Sequence, residues 1–247
     1  MSALPRIFVG TLACGEAELE ECRAAVAAQE GVSATQVVIS NLREREAHHA
    51  LWDVWDKHKA DHDIFVKIDA DTVLSRRTAL REIADLFDAP EVTGAQIPLH
   101  DYFTDRLIAG LNAFSKAVVF RKGRSRLMPD RVDIGHVRLL KGPAVSHLAP
   151  IGWHCRAPHA RQAFHFGLHR ALKKQHDVIA RCAEVWLARR DEPRGWALSG
   201  AMSARWRMRF CFDYAQRGFE RAFIAQAADA ERLTKLETFA RNCLCRN

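Results

Sequence analysis

Apolar residues follow two rhythms along this chain. Short β-branched and aromatic runs, Arg6 to Leu12, Gln36 to Ser40, Ile64 to Ile68 and Val92 to Leu99, have the length and bounding residues of buried strands. Between them, apolar residues recur every three or four positions, which predicts helices. The first follows Gly15 and ends at Gly31, with Leu19, Cys22, Ala25 and Val26 on its inner stripe and Glu16, Glu18, Glu20 and Glu21 in its opening turns. The second spans 44–60 with Ala47, Ala50, Leu51, Val54 and Trp55 inward, and leaves His48, His49, His58 and His62 to solvent. A third, capped by Ser75, covers 76–87. The spacing of Leu107, Leu111, Phe114 and Val118 predicts a helix over 105–120. Two further strands are expected over 137–141 and 145–153, then helices over 160–174, 176–190, 197–217 and 219–241.

Strands alternating with helices, followed by a helical tail, predict an α/β fold: a mixed, mostly parallel sheet with helices on both faces. No stretch rich in Pro, Gly and Ser divides the 247 residues, so a single domain is expected. Within it, 1–100 form a first half, 101–175 a second, and 176–247 a helical extension.

Charge changes the picture. The first 120 residues carry 12 Lys+Arg against 19 Asp+Glu, and the remainder 25 against 11. An acidic half followed by a basic one suits a phosphate-bearing ligand or an anionic surface. The basic tract Arg121-Lys122-Gly123-Arg124-Ser125-Arg126 opens the positive half. The interleaved aromatic and basic residues of RNA-binding modules are missing, which argues against nucleic acid. Seven cysteines without a Cys-x-x-Cys pair read as reduced thiols of a cytoplasmic protein. No apolar run is long enough to cross a bilayer, and Met1 to Arg6 lacks the character of a secretory signal.

The chemistry concentrates at Asp69-Ala70-Asp71, where the strand Ile64–Ile68 ends. Residues two apart on an extended chain share a face. Two carboxylates so placed repel unless a cation lies between them. Oxygen ligands suit Mn²⁺ or Mg²⁺, ions that keep positions open for phosphate oxygens. The carboxyl end of a central strand is where open α/β sheets bind ligands. The pair His165 and His169 has zinc-ligand spacing on a helix, but Phe166 stands where a metalloprotease motif carries Glu, and a polar helix face with Arg170 and Lys173 is the plainer reading.

Three features together resemble the nucleotide-sugar glycosyltransferases of the GT-A fold, near their large family 2. They are a first strand running into Thr11-Leu12, the Asp69-Ala70-Asp71 motif after a second α/β unit, and the late stretch Gly152-Trp153-His154-Cys155-Arg156-Ala157-Pro158-His159. The resemblance covers about residues 5–175 and implies metal-dependent, inverting transfer of a sugar from a UDP- or GDP-sugar to a glycan or lipid-linked acceptor. It implies that Asp69, Asp71 and His154 hold Mn²⁺ or Mg²⁺. Thr11, Leu12, Asn41, Lys67 and Asp69 would serve the nucleotide. Ser40-Asn41 stands where many members carry a carboxylate for the base, and the Glu-Asp pair that often supplies the catalytic base is not visible after residue 135. Asp101, then Asp133, then Asp105, are the positional candidates for that base. Peripheral attachment to the inner membrane surface through the basic tract is a further expectation.

Two other readings compete. Asp69-Ala70-Asp71-Thr72-Val73 also fits the nucleophile motif of haloacid dehalogenase-type phosphatases, with Asp69 as nucleophile, although the later acidic pair those enzymes need does not follow. A non-catalytic module that binds a nucleotide or structural ion is the third.

Overall fold

The computed structural model describes residues 3–125, 138–148, 150–205, 208–209, 213–214 and 216–245. These fall into two compact units, one reaching to Ala157 and one built on the chain from Pro158 onward together with Phe103–Asp105.

The first unit runs β1 (Arg6–Ala13), α1 (Leu19–Ala27), β2 (Ser33–Ser40), α2 (Glu44–His58), β3 (Ile64–Asp69), β4 (Thr72–Leu74), α3 (Ala79–Asp85), β5 (Val92–Asp101), β6 (Arg106–Ser115), β7 (Arg138–Leu140), a 3-10 turn (Gly142–Leu148) and β8 (Gly152–His154). The strands form one mixed eight-stranded sheet in the order β2-β1-β3-β6-β5-β8-β4, with β7 on β5. β1 pairs in parallel with both β2 and β3, while β6 runs antiparallel to β3 and β5. Alternation sends Ile7, Val9, Ile64, Val66 and Ile68 to one face, against Cys22 and Val26 of α1 and Leu80 and Ile83 of α3. Phe8 and Phe65 go to the other, against Leu51, Trp52 and Trp55 of α2. Both faces are thus covered, as the α/β reading requires.

The clearest correction is the segment 105–120, a strand over Arg106–Ser115 rather than a helix. β6 lies between β3 and β5, and its second half is buried on both faces, Leu111 and Ala113 on one and Phe114 on the other. Burial on both faces erases the period of two that marks a half-exposed strand. The helix expected over 76–87 is only Ala79–Asp85, and the expected strand over 145–153 is the 3-10 turn followed by β8. His48 and His62 are buried rather than solvated. His62 meets the Phe8 ring edge-on at 5.6 Å and its Nδ1 lies 2.9 Å from the His58 carbonyl.

The path into β8 is tied down. Arg76 is gripped by Glu82, its Nε 2.7 Å from Oε1, and donates to the carbonyls of Pro150 (2.6 Å) and Leu148 (3.0 Å). The Ser75 amide donates to the Ile151 carbonyl (3.0 Å). β8 then pairs on one side with β4, Thr72 opposite His154, and on the other with β5, Asp101 opposite His154.

The second unit contains α4 (Ala160–Leu172), α5 (His176–Arg189), α6 (Glu192–Ser203), α7 (Arg217–Ala227) and α8 (Arg232–Leu244). The helices expected over 197–217 and 219–241 are redrawn: Asp191 caps α6 by accepting from the Arg194 amide (3.1 Å) and starts it early. α4 and α6 cross so closely that a Cβ on Gly167 would stand 1.6 Å from the Ala197 carbonyl oxygen.

Gly152 is the small residue that lets β8 reach β4, since a Cβ there would stand 2.6 Å from the Val73 carbonyl oxygen. Gly152→Ala is expected to cost about 1–3 kcal/mol, the range for overpacking, read as a lower urea midpoint with an unchanged slope. An unchanged midpoint would show that β8 does not need this close approach.

Candidate metal centre

β3 ends at Asp69, where the Ala70 amide still donates to the Leu12 carbonyl (3.0 Å). The chain turns through Ala70 and Asp71 and enters β4. The Asp71 carbonyl accepts from the Cys155 amide (2.8 Å), so the turn after β3 and the end of β8 are joined by backbone.

Each acid of the motif has its own surroundings. Asp69 accepts from Lys67 Nζ at 2.8 Å, and Lys67 is itself buried. Burial works to raise the Asp69 carboxyl, but Lys67, by charge and hydrogen bond, holds it below the usual carboxylate range. Asp71 lies deeper: its Oδ2 receives the Cys155 thiol at 3.1 Å and faces His154 Nε2 at 3.8 Å. Its Oδ1 is buried and meets no hydrogen-bond partner among the described residues. A buried carboxylate oxygen without a donor is costly unless something else satisfies it.

His154 is set by Asp101, whose Oδ1 lies 2.7 Å from Nδ1. Asp101 is buried, and a carboxylate oxygen only accepts, so Nδ1 donates to it and Nε2 faces Asp71. A carboxylate behind an imidazole is the arrangement that orients and strengthens histidine as a metal ligand. Carboxylate plus neutral imidazole fits Mn²⁺, and Asp71 Oδ1 is an oxygen such an ion would satisfy. Among the described residues, Asp71, His154 and Cys155 gather ligand atoms within 4.8 Å of one another.

The other sequence candidates are placed as follows. Thr11 is fully buried and accepts from the Gln36 side-chain amide (2.9 Å). Leu12 is half-buried, opposite Asp69 in the β1–β3 ladder. Asn41 is exposed just past β2, with φ 62°. Asp133 and the basic residue Arg126 lie outside the described residues. Arg121, Lys122 and Arg124 are exposed, with Lys122 2.7 Å from Asp53. In the helical unit, Asp105 is held by Arg189. His165 stacks on Tyr214 at 4.1 Å and is driven down to about 3 by burial, then by Lys173, Arg161 and Arg170. Among the described residues, His165 and His169 gather no third metal-ligating group.

Residue patterns alone did not single out Cys155, Glu16 or Glu18. Cys155 is buried, and its thiol is pushed well above its usual range by burial and then by Asp71. Glu18 is buried and accepts from the Ala157 amide (3.0 Å), tying the start of α1 to the segment after β8. Glu16 accepts from the Cys14 amide and feels both acids of the motif. A sequence signal existed only for Cys155, through its place beside His154.

No protein-family model matches the chain, and no curated protein does. Among solved structures, it is similar to a mannosyltransferase from Pyrobaculum calidifontis in complex with GDP-Man and Mn²⁺, at 14% identity and a TM-score of 0.43, covering 100% of this chain and 88% of that one. It is also similar to a glycosyltransferase involved in glycosylation of the major capsid of PBCV-1, at 11% identity and a TM-score of 0.40, covering 64% of this chain and 97% of that one. TM-scores below 0.5 fix neither fold nor activity, so the functional reading rests on this chain's own geometry.

Burial lifts the Glu16 carboxyl to about 7 against the lowering bond from the Cys14 amide, with Asp71 and Asp69 adding to the rise. A carboxyl raised in the folded state binds more protons there than in the unfolded chain, so stability falls as pH rises between the two values. In metal-free protein, the advantage of wild type over Glu16→Gln should therefore shrink from pH 4.5 to 7, by up to about 3 kcal/mol, and stay flat above. Urea unfolding across that range checks it. A pH-independent difference would contradict the placement of Glu16 beside the two acids.

Proposed function

We propose that this chain is a divalent-metal-dependent glycosyltransferase, moving a sugar from a UDP- or GDP-sugar to a glycan or lipid-linked acceptor with inversion at the anomeric carbon. The observation that carries the reading is Asp71, whose buried Oδ1 meets no hydrogen-bond partner among the described residues while its Oδ2 faces His154 Nε2 at 3.8 Å, on an imidazole held by Asp101. It lies at the carboxyl end of β3, the edge where α/β sheets bind ligands.

In this reading Asp71 and His154 hold Mn²⁺ or Mg²⁺, which when bound supplies Lewis-acid stabilisation to the departing diphosphate. Asp69, kept ionised by Lys67, turns its exposed oxygen to the ion or to the donor's ribose. Lys67 fixes that carboxylate, and its charge would add to the stabilisation of a bound diphosphate. Leu12 and Asn41, at the ends of β1 and β2, border the nucleotide, while Thr11 supports β1 from within. Residues 1–100 then carry the nucleotide side, and β8 completes the metal site.

Asp101 has a different role from the general base expected at this strand end. Its carboxylate is buried and engaged by His154, so it positions the ligand rather than accepting an acceptor proton. That leaves Asp133 as the proposed base. No helix among the described residues is long and apolar enough to cross a membrane. The exposed Arg121, Lys122 and Arg124 are the proposed contact with an anionic acceptor or membrane surface.

Calorimetry tests the core of this reading. A nucleoside diphosphate should bind far more tightly with Mn²⁺ than with a chelator, and Asp71→Asn should abolish the difference. Asp101→Asn should lower nucleotide-dependent Mn²⁺ affinity about 10–100-fold, as loss of an orienting partner does. Equal affinity in Mn²⁺ and chelator would sink the proposal.

A further inference from the structure

The donor set at this centre is softer than a Mn²⁺ site requires. Cys155 Sγ lies 3.1 Å from Asp71 Oδ2 and 3.6 Å from His154 Nε2, and those two lie 3.8 Å apart. A tetrahedral ion with a metal–sulfur bond of about 2.3 Å and metal–nitrogen or –oxygen bonds of about 2.0–2.1 Å spaces its ligand atoms about 3.3–3.6 Å apart. The three atoms thus already stand near the corners of one face of such a tetrahedron. His154 and Cys155 are neighbours, and on an extended chain their side chains would point to opposite faces. The left-handed backbone at Cys155, φ 53°, turns the thiol back to the histidine's side, and the bond from its amide to the Asp71 carbonyl holds it there. Asp101 fixes the imidazole so that its lone pair meets the same point.

We infer that Cys155 is a third protein ligand, and that Asp71, His154 and Cys155 form a soft, three-ligand site that takes Zn²⁺ or Co²⁺ in preference to Mn²⁺ and leaves the fourth position open. Thiolate ligands select zinc over hard cations, and three protein ligands with one open position is the layout of a catalytic rather than a structural zinc site. On binding, the Cys155 S–H bond breaks, its proton leaves to solvent, and sulfur and Asp71 Oδ2 exchange their hydrogen bond for bonds to the ion. The inference rests on the proposed metal centre but not on the identity of the donor sugar.

Cobalt is the reporter. Titrating Co²⁺ into the full-length, metal-free protein should produce a sulfur-to-cobalt charge-transfer band that saturates at one ion per chain, and Zn²⁺ should displace it. Cys155→Ser should lose the band and weaken Zn²⁺ binding by more than the about 10–100-fold that loss of an outer partner costs, with Mn²⁺ binding little changed. Cys182→Ser, a change in the helical unit, should keep the band. Absence of the band in folded wild-type protein, or its survival in Cys155→Ser, would overturn the inference. The wild-type measurement stands even if the serine variant does not fold. Tight, Mn²⁺-dependent nucleotide binding without a cobalt–sulfur band would sink this inference and leave the proposed function intact. A band without any nucleotide binding would do the reverse.

Discussion

The 2.7 Å contact between His154 Nδ1 and Asp101 ties three strands to one atom. Asp101 ends β5, His154 ends β8, and β8 in turn carries β4, whose first residue follows Asp71. Without that bond, β8 would be a three-residue strand with little reason to hold its terminal side chain in one rotamer. With it, the imidazole Nε2 faces Asp71 Oδ2 at the turn after β3. The close approach at Gly152 and the Arg76 clasp serve the same end: they bring a segment of distant sequence onto the edge where β3 finishes.

Charge is arranged with the same economy. Asp69 is neutralised by Lys67 two residues earlier on the same face. Among the described residues Asp71 has no Lys or Arg ion pair, and its Oδ2 meets the Cys155 thiol and His154 Nε2 instead. Glu16 and Glu18 add acid around the same turn, and burial makes Glu16 prefer its proton. Such a cluster is electrostatically unfavourable by itself and is relieved by a divalent ion. Its own chemistry therefore points to metal, independently of any resemblance.

Much of this was legible in the sequence. β1, β2 and β3 follow from their apolar runs, and Asp69-Ala70-Asp71 from its place at the end of one of them. His154 was marked only by its place in the late stretch that carries the resemblance. The structure brings it to Asp71 as the resemblance implies, though ligation remains part of the proposal. What could not be read was set by tertiary contact. Leu111 and Phe114 of β6 fall at helical spacing because the second half of the strand is buried on both faces, and only its place between β3 and β5 makes it a strand. His48 and His62 look like surface residues until Trp52 and Phe8 are found against them. Asp101 passes for a free base by position, and only its burial against His154 gives it another partner. Cys155 needs a left-handed residue to face the centre, and no local pattern announces one.

The central claim is that Asp71 and His154 bind a divalent cation that a nucleoside diphosphate completes. Anomalous diffraction from crystals grown with Mn²⁺ and a nucleoside diphosphate tests it most directly. The account predicts one peak about 2 Å from an Asp71 carboxylate oxygen and from His154 Nε2, with diphosphate oxygens on its open side. A diphosphate bound with its ion elsewhere, or with no ion within bonding distance of Asp71, would contradict it.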